Sequence, residues 1–162
     1  MKRLGNVLLT VALAVQLVAA STSCMASDYA WLPAYDPSQA LEKRFAPPPG
    51  FERVIVERGS FQEWLRQLPL KPGNPPVMLH DGRAKGNQAA HLAVVDIDVG
   101  PRDLQQCADA IIRLRAEYLF ARQALDRIRF TFTSGAPAPF SRWVEGYRPR
   151  IKGARVTWSK AA

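Results

Sequence analysis

Cys107 is the residue of this chain best suited to chemistry. A thiolate is a strong nucleophile, and a cysteine in the first turn of a helix is favoured in that form by the macrodipole and by backbone N–H groups. Cys107 follows Arg102-Asp103-Leu104-Gln105-Gln106, which reads as the start of a strongly periodic helix. The competing reading is packing. Cys107 shares an apolar line with Leu104, Ala108, Ile111 and Leu114, and free cysteine is among the most buried residue types. A base must come from two histidines. His91 opens the apolar run 91–99 and is the better candidate, whereas His80 precedes Asp81-Gly82 and reads as an exposed turn residue. The run from His91 carries the chain away for about eight residues at roughly 3.3 Å each before the helix begins, so direct contact with Cys107 requires an unusual arrangement.

Four other side chains are candidates for binding. Arg113 stands four residues before Glu117, a spacing that pairs them on one helix face, and the functional alternative aims Arg113 or Arg115 at an anionic group of a substrate. Lys85 and Asn87, with Gln88, follow the Asp81-Gly82 turn and offer polar donors on a loop. Asp96, Asp98, Asp103, Asp109 and the histidines form no recognisable metal spacing, so neither metal nor cofactor is expected. No glycine-rich phosphate loop or nucleophile-elbow serine is present.

These residues sit in an exported chain. Lys2 and Arg3 precede an apolar run from Val7 to Ala20, the layout of a secretory leader and short for a membrane span, which needs about 20 apolar residues. Cleavage after Ala26 makes residues 1–26 a signal peptide; lipidation at Cys24 is the alternative, although Ser21 stands where lipoprotein signals carry an aliphatic residue. An uncleaved tether is a third reading. The whole chain carries 22 basic and 14 acidic residues, a net charge of +8. Removal of the leader takes Lys2 and Arg3 and no acid, leaving 20 basic groups and a net +6. With Cys24 gone or lipidated, Cys107 has no partner for an internal disulfide. Export argues against nucleic acid as a partner, and the mature chain holds no transmembrane run. Residues 141–162 carry six basic groups and only Glu145 as an acid, interleaved with Trp143, Tyr147 and Trp158. Such a mixture holds phosphate-bearing polymers or membrane surfaces, or is simply a solvated basic face.

The elements that position these groups follow from periodicity. Residues 27–49 form an extended Pro-rich lead-in with apolar anchors Trp31, Leu32, Tyr35 and Phe45 and a short helix near 38–44. A domain over 50–162 then begins with a strand through Phe51 and 54–56 and a helix opened by the capping box Ser60-Phe61-Gln62-Glu63. Val77-Met78-Leu79 and a run from Ala84 flank the Asp81-Gly82 turn as a hairpin. The run 91–99 reads as a strand, Asp103 as the cap of a helix to about Asp126, and 128–133 as a half-buried strand. Trp143, Tyr147, Ile151 and 155–158 add one short helix and one last strand. The fold class is α+β, a mixed or antiparallel sheet packed on one long central helix with short accessory helices.

Several of these stretches together resemble a known family. Gly59-Ser60-Phe61 with Trp64-Leu65-Arg66 and Leu68-Pro69-Leu70-Lys71, Asp81-Gly82 with Lys85, Asn87-Gln88 and His91, Asp103-Leu104-Gln105-Gln106-Cys107-Ala108-Asp109, Arg113-Leu114-Arg115-Ala116-Glu117-Tyr118, and Phe130-Thr131-Phe132-Thr133-Ser134-Gly135 are similar to the exported bacterial family filed as domain of unknown function 4846. The resemblance spans nearly everything after the leader and implies no established activity. Members continue past the point matching Trp158 into a half with a Gly-His-Ala segment opening an apolar strand. A cysteine at a helix start facing such a histidine resembles papain-like and cell-wall peptidases. This sequence ends at Ala162, so the resemblance implies a C-terminally truncated form, or a chemistry in which that histidine plays no part. The expectation is an exported, noncatalytic envelope protein that binds an envelope component or cell-wall fragment and self-associates through uncovered sheet. The alternative is a cysteine peptidase or amidase of papain-like type acting on cell-wall material, with Cys107 as nucleophile.

Overall fold

A ring of aromatic side chains from three distant stretches of sequence makes the main core. In the computed structural model, which describes residues 28–161, Tyr29 and Trp64 are 2 % and 3 % exposed, and Leu68 is buried beside them. The expected signal peptide and Cys24 lie outside the described residues. Tyr29 stacks on Tyr35 with ring centroids 5.1 Å apart and tilts against Trp64 at 5.0 Å. Their polar edges reach backbone: the Tyr35 hydroxyl donates to the Gln67 carbonyl at 2.9 Å, and the Trp64 and Trp31 indole N–H groups to the carbonyls of Asp28 and Asp96. Aromatic groups are buried here together with partners for their donors, as close packing requires. The Pro-rich lead-in is therefore part of the core rather than a tether ahead of it.

The helices are α1 (Leu41–Arg44), α2 (Phe61–Arg66), α3 (Cys107–Ala121) and α4 (Phe140–Val144), with single 3-10 turns at Pro37–Gln39, Gln88–Ala90 and Leu125–Arg127. The expected serine cap of α2 forms: Ser60 Oγ accepts from the Glu63 N–H at 3.2 Å. The Glu63 carboxylate reaches one residue further back than in a standard box, to the Gly59 N–H. Tyr118 on α3 donates to the Gly59 carbonyl at 2.8 Å and meets the rings of Phe61 and Trp64, so α2 and α3 are joined through aromatic contacts.

α3 is shorter and less central than its periodicity suggests. Its N-cap is Gln106 rather than Asp103, with the Gln106 N–H donating to the Asp109 carboxylate at 3.2 Å. Its C-terminus is closed by a Schellman pattern: the Ala124 N–H bonds the Leu119 carbonyl at 3.0 Å, the Gln123 N–H bonds the Phe120 carbonyl, and Gln123 takes φ 56°. Only Leu119 of its 15 residues is buried, while Leu104 and Ile111 on the expected packed stripe, and Ile112 beside it, face solvent. The helix packs against α2 and the region after it by its C-terminal half, and its first two turns stand out from the core.

The described strands are short and antiparallel, forming two separate pairs rather than one sheet on a helix. β1 (Arg129–Thr131) pairs with β2 (Pro137–Pro139), Phe130 opposite Ala138. Pro137 and Pro139 lack N–H donors, so β2 is suited only to an edge. β3 (Tyr147–Lys152) pairs with β4 (Arg155–Lys160) over six residues each, joined at Gly153-Ala154 with Gly153 at φ 59°. Glycine at the first central position of a two-residue hairpin turn is the type II′ pattern. The expected strand 51–56 is unpaired, and Ile55 is fully exposed. The expected strand 91–99 keeps one bridge, Leu70 to Val95, and the Asp81-Gly82 hairpin one bridge, Met78 to Ala84. The architecture is α+β with small antiparallel sheets.

Candidate functional site

The chain leading into α3 faces the Asp81-Gly82 turn across an open cleft of about 400 Å³, within the range of small-ligand sites. One wall is Val77, Met78, Leu79, His80 and Lys85; the other is Val99, Arg102, Asp103, Gln105 and Gln106. The turn is held by the Leu79 N–H to the Arg83 carbonyl at 2.7 Å and by Gly82 at φ 81°, a conformation that glycine adopts without strain. Asp81 braces it further. Its carboxylate accepts from the Arg83 backbone N–H and from Arg83 Nε, and these bonds hold its pKa below the ordinary carboxylate value. The other wall is fixed by Gln105 Nε2 donating to the Asp98 carbonyl at 3.3 Å and by Gln106 Nε2 donating to Asp103 Oδ1 at 2.8 Å.

Across this cleft His80 Nδ1 stands 4.0 Å from Asp103 Oδ1, and both side chains remain open to solvent. Lys85 and Arg102 add fixed positive charge beside the start of α3, where backbone N–H groups point outward. Lys85, Arg102 and the helix start are suited to an anionic group, while the Asp103 carboxylate beside them accepts from hydroxyl or N–H donors of the same ligand. Of the binding residues expected from sequence, Lys85 lies here. Asn87 does not: its Oδ1 accepts from the Ala89 N–H and caps the 3-10 turn that follows.

Cys107 is the first residue of α3, next to Gln106 of the cleft, and it is exposed. The packing reading of its thiol does not hold, because the apolar stripe on which it lies is itself largely uncovered at that end. His91 is held elsewhere. Its Nε2 donates to the Pro75 carbonyl at 3.0 Å and Nδ1 is buried without a hydrogen-bond partner; no hydrogen bond joins it to Cys107. The histidine brought to the start of α3 is His80. By sequence it reads as an exposed turn residue, and nothing in the spacing of 80 and 103 signals that the turn folds onto the helix start.

Arg113 and Arg115 are committed to the fold. Arg113 donates to the Asp98 carbonyl, lies 3.4 Å from the Asp98 carboxylate and 3.5 Å from Glu117, and so ties the segment before α3 to the helix. The Arg115 guanidinium sits 5.0 Å from the Phe61 ring centroid and 5.2 Å from that of Tyr118, covering the aromatic joint between α2 and α3. Among the described residues no group of three or more histidine, cysteine, aspartate or glutamate side chains comes together to hold a metal ion. No described helix is long and apolar enough to cross a membrane.

No curated protein and no solved structure matches the chain. The family model described as Domain of unknown function (4846) matches residues 41–162, which takes in α1 and everything after it, including the cleft, Cys107 and both hairpins. By that match the chain belongs to the family of domain of unknown function 4846.

Proposed function

We propose that the chain is an exported, noncatalytic binding domain of the cell envelope that takes an anionic cell-wall fragment in the cleft between the Asp81-Gly82 turn and the start of α3. The observation that carries the reading is that His80, Lys85 and Arg102 line one cleft beside the start of α3. Lys2 and Arg3 ahead of the apolar run 7–20 support export. Titration of the labelled protein with soluble peptidoglycan fragments, followed by NMR, tests it. Shifts at Leu79, His80, Lys85 and Gln106 that vanish in Lys85→Gln and Arg102→Gln are expected. Absence of shifts, or shifts confined to another surface, overturns the reading.

The exposed Cys107 at the first position of α3 favours a second reading, a cysteine peptidase or amidase. In that case His80, oriented by Asp103, is the base within reach of the helix start, in place of His91. Cleavage of the same fragments, abolished by Cys107→Ser, is the outcome that selects it.

A further inference from the structure

The β3–β4 hairpin is two-faced. In an antiparallel ladder directly opposed residues project to the same side, and alternate residues to opposite sides. The register Tyr147 to Lys160, Pro149 to Trp158 and Ile151 to Val156 makes one face mostly apolar; Pro149 and Trp158 from it line a groove with Phe130 and Phe132. The other face pairs Arg148 with Ser159, Arg150 with Thr157 and Lys152 with Arg155. It therefore carries four cations and two hydroxyl groups, and among the described residues no carboxylate pairs with any of the four cations.

Two features of that face have no structural return. Lys152 and Arg155 stand directly opposite each other, and like charges in that relation destabilise a hairpin. The guanidinium groups are also held in place with donors left over. Arg148 Cζ lies over the Trp143 ring, 3.8 Å from its centroid, and the guanidinium spends only Nη1 on the carbonyls of Trp143 and Tyr147. Arg150 spends only Nε, on Ser159 Oγ at 2.8 Å, which leaves both Nη nitrogens without a hydrogen bond among the described residues.

We infer that this outer face of β3–β4 docks an extended phosphodiester polymer. Arg148, Arg150 and Lys152 recur every second residue, about 7 Å apart along one strand, so they form a line of charge rather than a point site. Fixed guanidinium forks match phosphate oxygens, and the Ser159 hydroxyl, which accepts from Arg150 Nε, keeps its own proton to donate along the same line, whereas the Thr157 hydroxyl is spent on the Arg150 carbonyl. A bilayer is disfavoured as the occupant because the apolar side chains of the hairpin lie on its other face. The surface is separate from the cleft at α3 and does not depend on a ligand there.

The test uses poly(glycerol phosphate) as the probe, with glycerol phosphate monomer and vesicles of equal parts phosphatidylglycerol and phosphatidylcholine as the other arms. Saturable binding of the polymer, lost on raising salt, and at least tenfold weaker binding of the monomer are expected. Arg150→Gln and Lys152→Gln should each lower the slope of log affinity against log salt by about 0.7–1. Lys43→Gln, which removes an exposed charge from α1, should leave the slope unchanged. Circular dichroism confirms that each variant folds. Vesicle binding without polymer binding, equal loss in the Lys43 variant, or affinity unchanged in the hairpin variants overturns the inference.

Discussion

The Tyr29 hydroxyl donates to the Trp64 carbonyl at 2.7 Å, closing a loop of 35 residues between the Pro-rich lead-in and α2. Both residues are nearly fully buried, so this bond has no water to replace it. Tyr29→Phe keeps the ring contacts with Tyr35 and Trp64 and removes the hydroxyl. It should cost about 1–2 kcal/mol, since a buried carbonyl then loses a donor, and chemical denaturation measures the difference. No change would mean that the lead-in contributes ring packing alone.

The same cluster sets an alkaline limit. Burial first, and then the charges of Tyr35, Asp28 and Glu63, push the Tyr29 pKa up; burial and Glu42 lead the upward shift at Tyr35. Both phenols keep their protons in the folded state after an unfolded chain has begun to lose them near pH 10. The unfolded state then binds fewer protons, so this stability is fully present below about pH 10 and is lost as pH rises toward the folded values. Phenolate absorbance of these two residues should appear together with unfolding, not before it. Reversible titration of all tyrosines near the ordinary value in folded protein would contradict this.

Features written in a few neighbouring residues were legible in the sequence, and features that depend on a distant partner were not. The Ser60 cap, the glycine turn at Asp81-Gly82 and the alternation around Phe130 are local, and each forms. The runs 51–56 and 91–99 have the side chains of strands, but pairing is a property of two segments, and no ladder forms on either. The aromatic anchors of the lead-in were visible as anchors, while their shared target, Trp64, was not. At the candidate site Cys107 and Lys85 were legible by residue type, whereas the facing of His80 and Asp103 is a product of the fold.

α3 stops short of the expected end near Asp126, and the residue that turns the chain is a glutamine. Gln123 holds φ 56°, the left-handed conformation that glycine ordinarily supplies at this position of a Schellman pattern. Gln123→Gly should relieve about 1–2 kcal/mol of left-handed strain, offset by the greater freedom of glycine in the unfolded chain. A net gain of about 0.5–1 kcal/mol in thermal or chemical unfolding is expected. A loss would show that the Gln123 side chain, whose Nε2 lies 3.4 Å from the Phe120 carbonyl, matters more than its backbone.

Arg113 offers a separation of structure from binding. It joins Asp98 and Glu117 at partly exposed positions, an arrangement worth no more than about 1 kcal/mol after solvent screening. Arg113→Gln should therefore unfold within about 1 kcal/mol of the parent and bind cell-wall fragments as the parent does. A loss of binding with stability kept would return Arg113 to the site.

Exposure of Cys107 at the head of α3 makes its reactivity decisive between the two functional readings. Alkylation should proceed in the folded protein without denaturant, because neither the stripe nor any neighbouring element covers the thiol. In a noncatalytic domain the helix start alone acts on the thiol, with no base paired to it. The rate should then lie within a few-fold of that in the unfolded chain and be the same in His80→Asn and His91→Asn. A rate tenfold or more above the unfolded chain, slowed by His80→Asn but not by His91→Asn, would identify an activated thiol paired with His80 and decide for the hydrolase. Protection until unfolding would show instead that the first turn of α3 is covered in solution, and the cleft beside it with it.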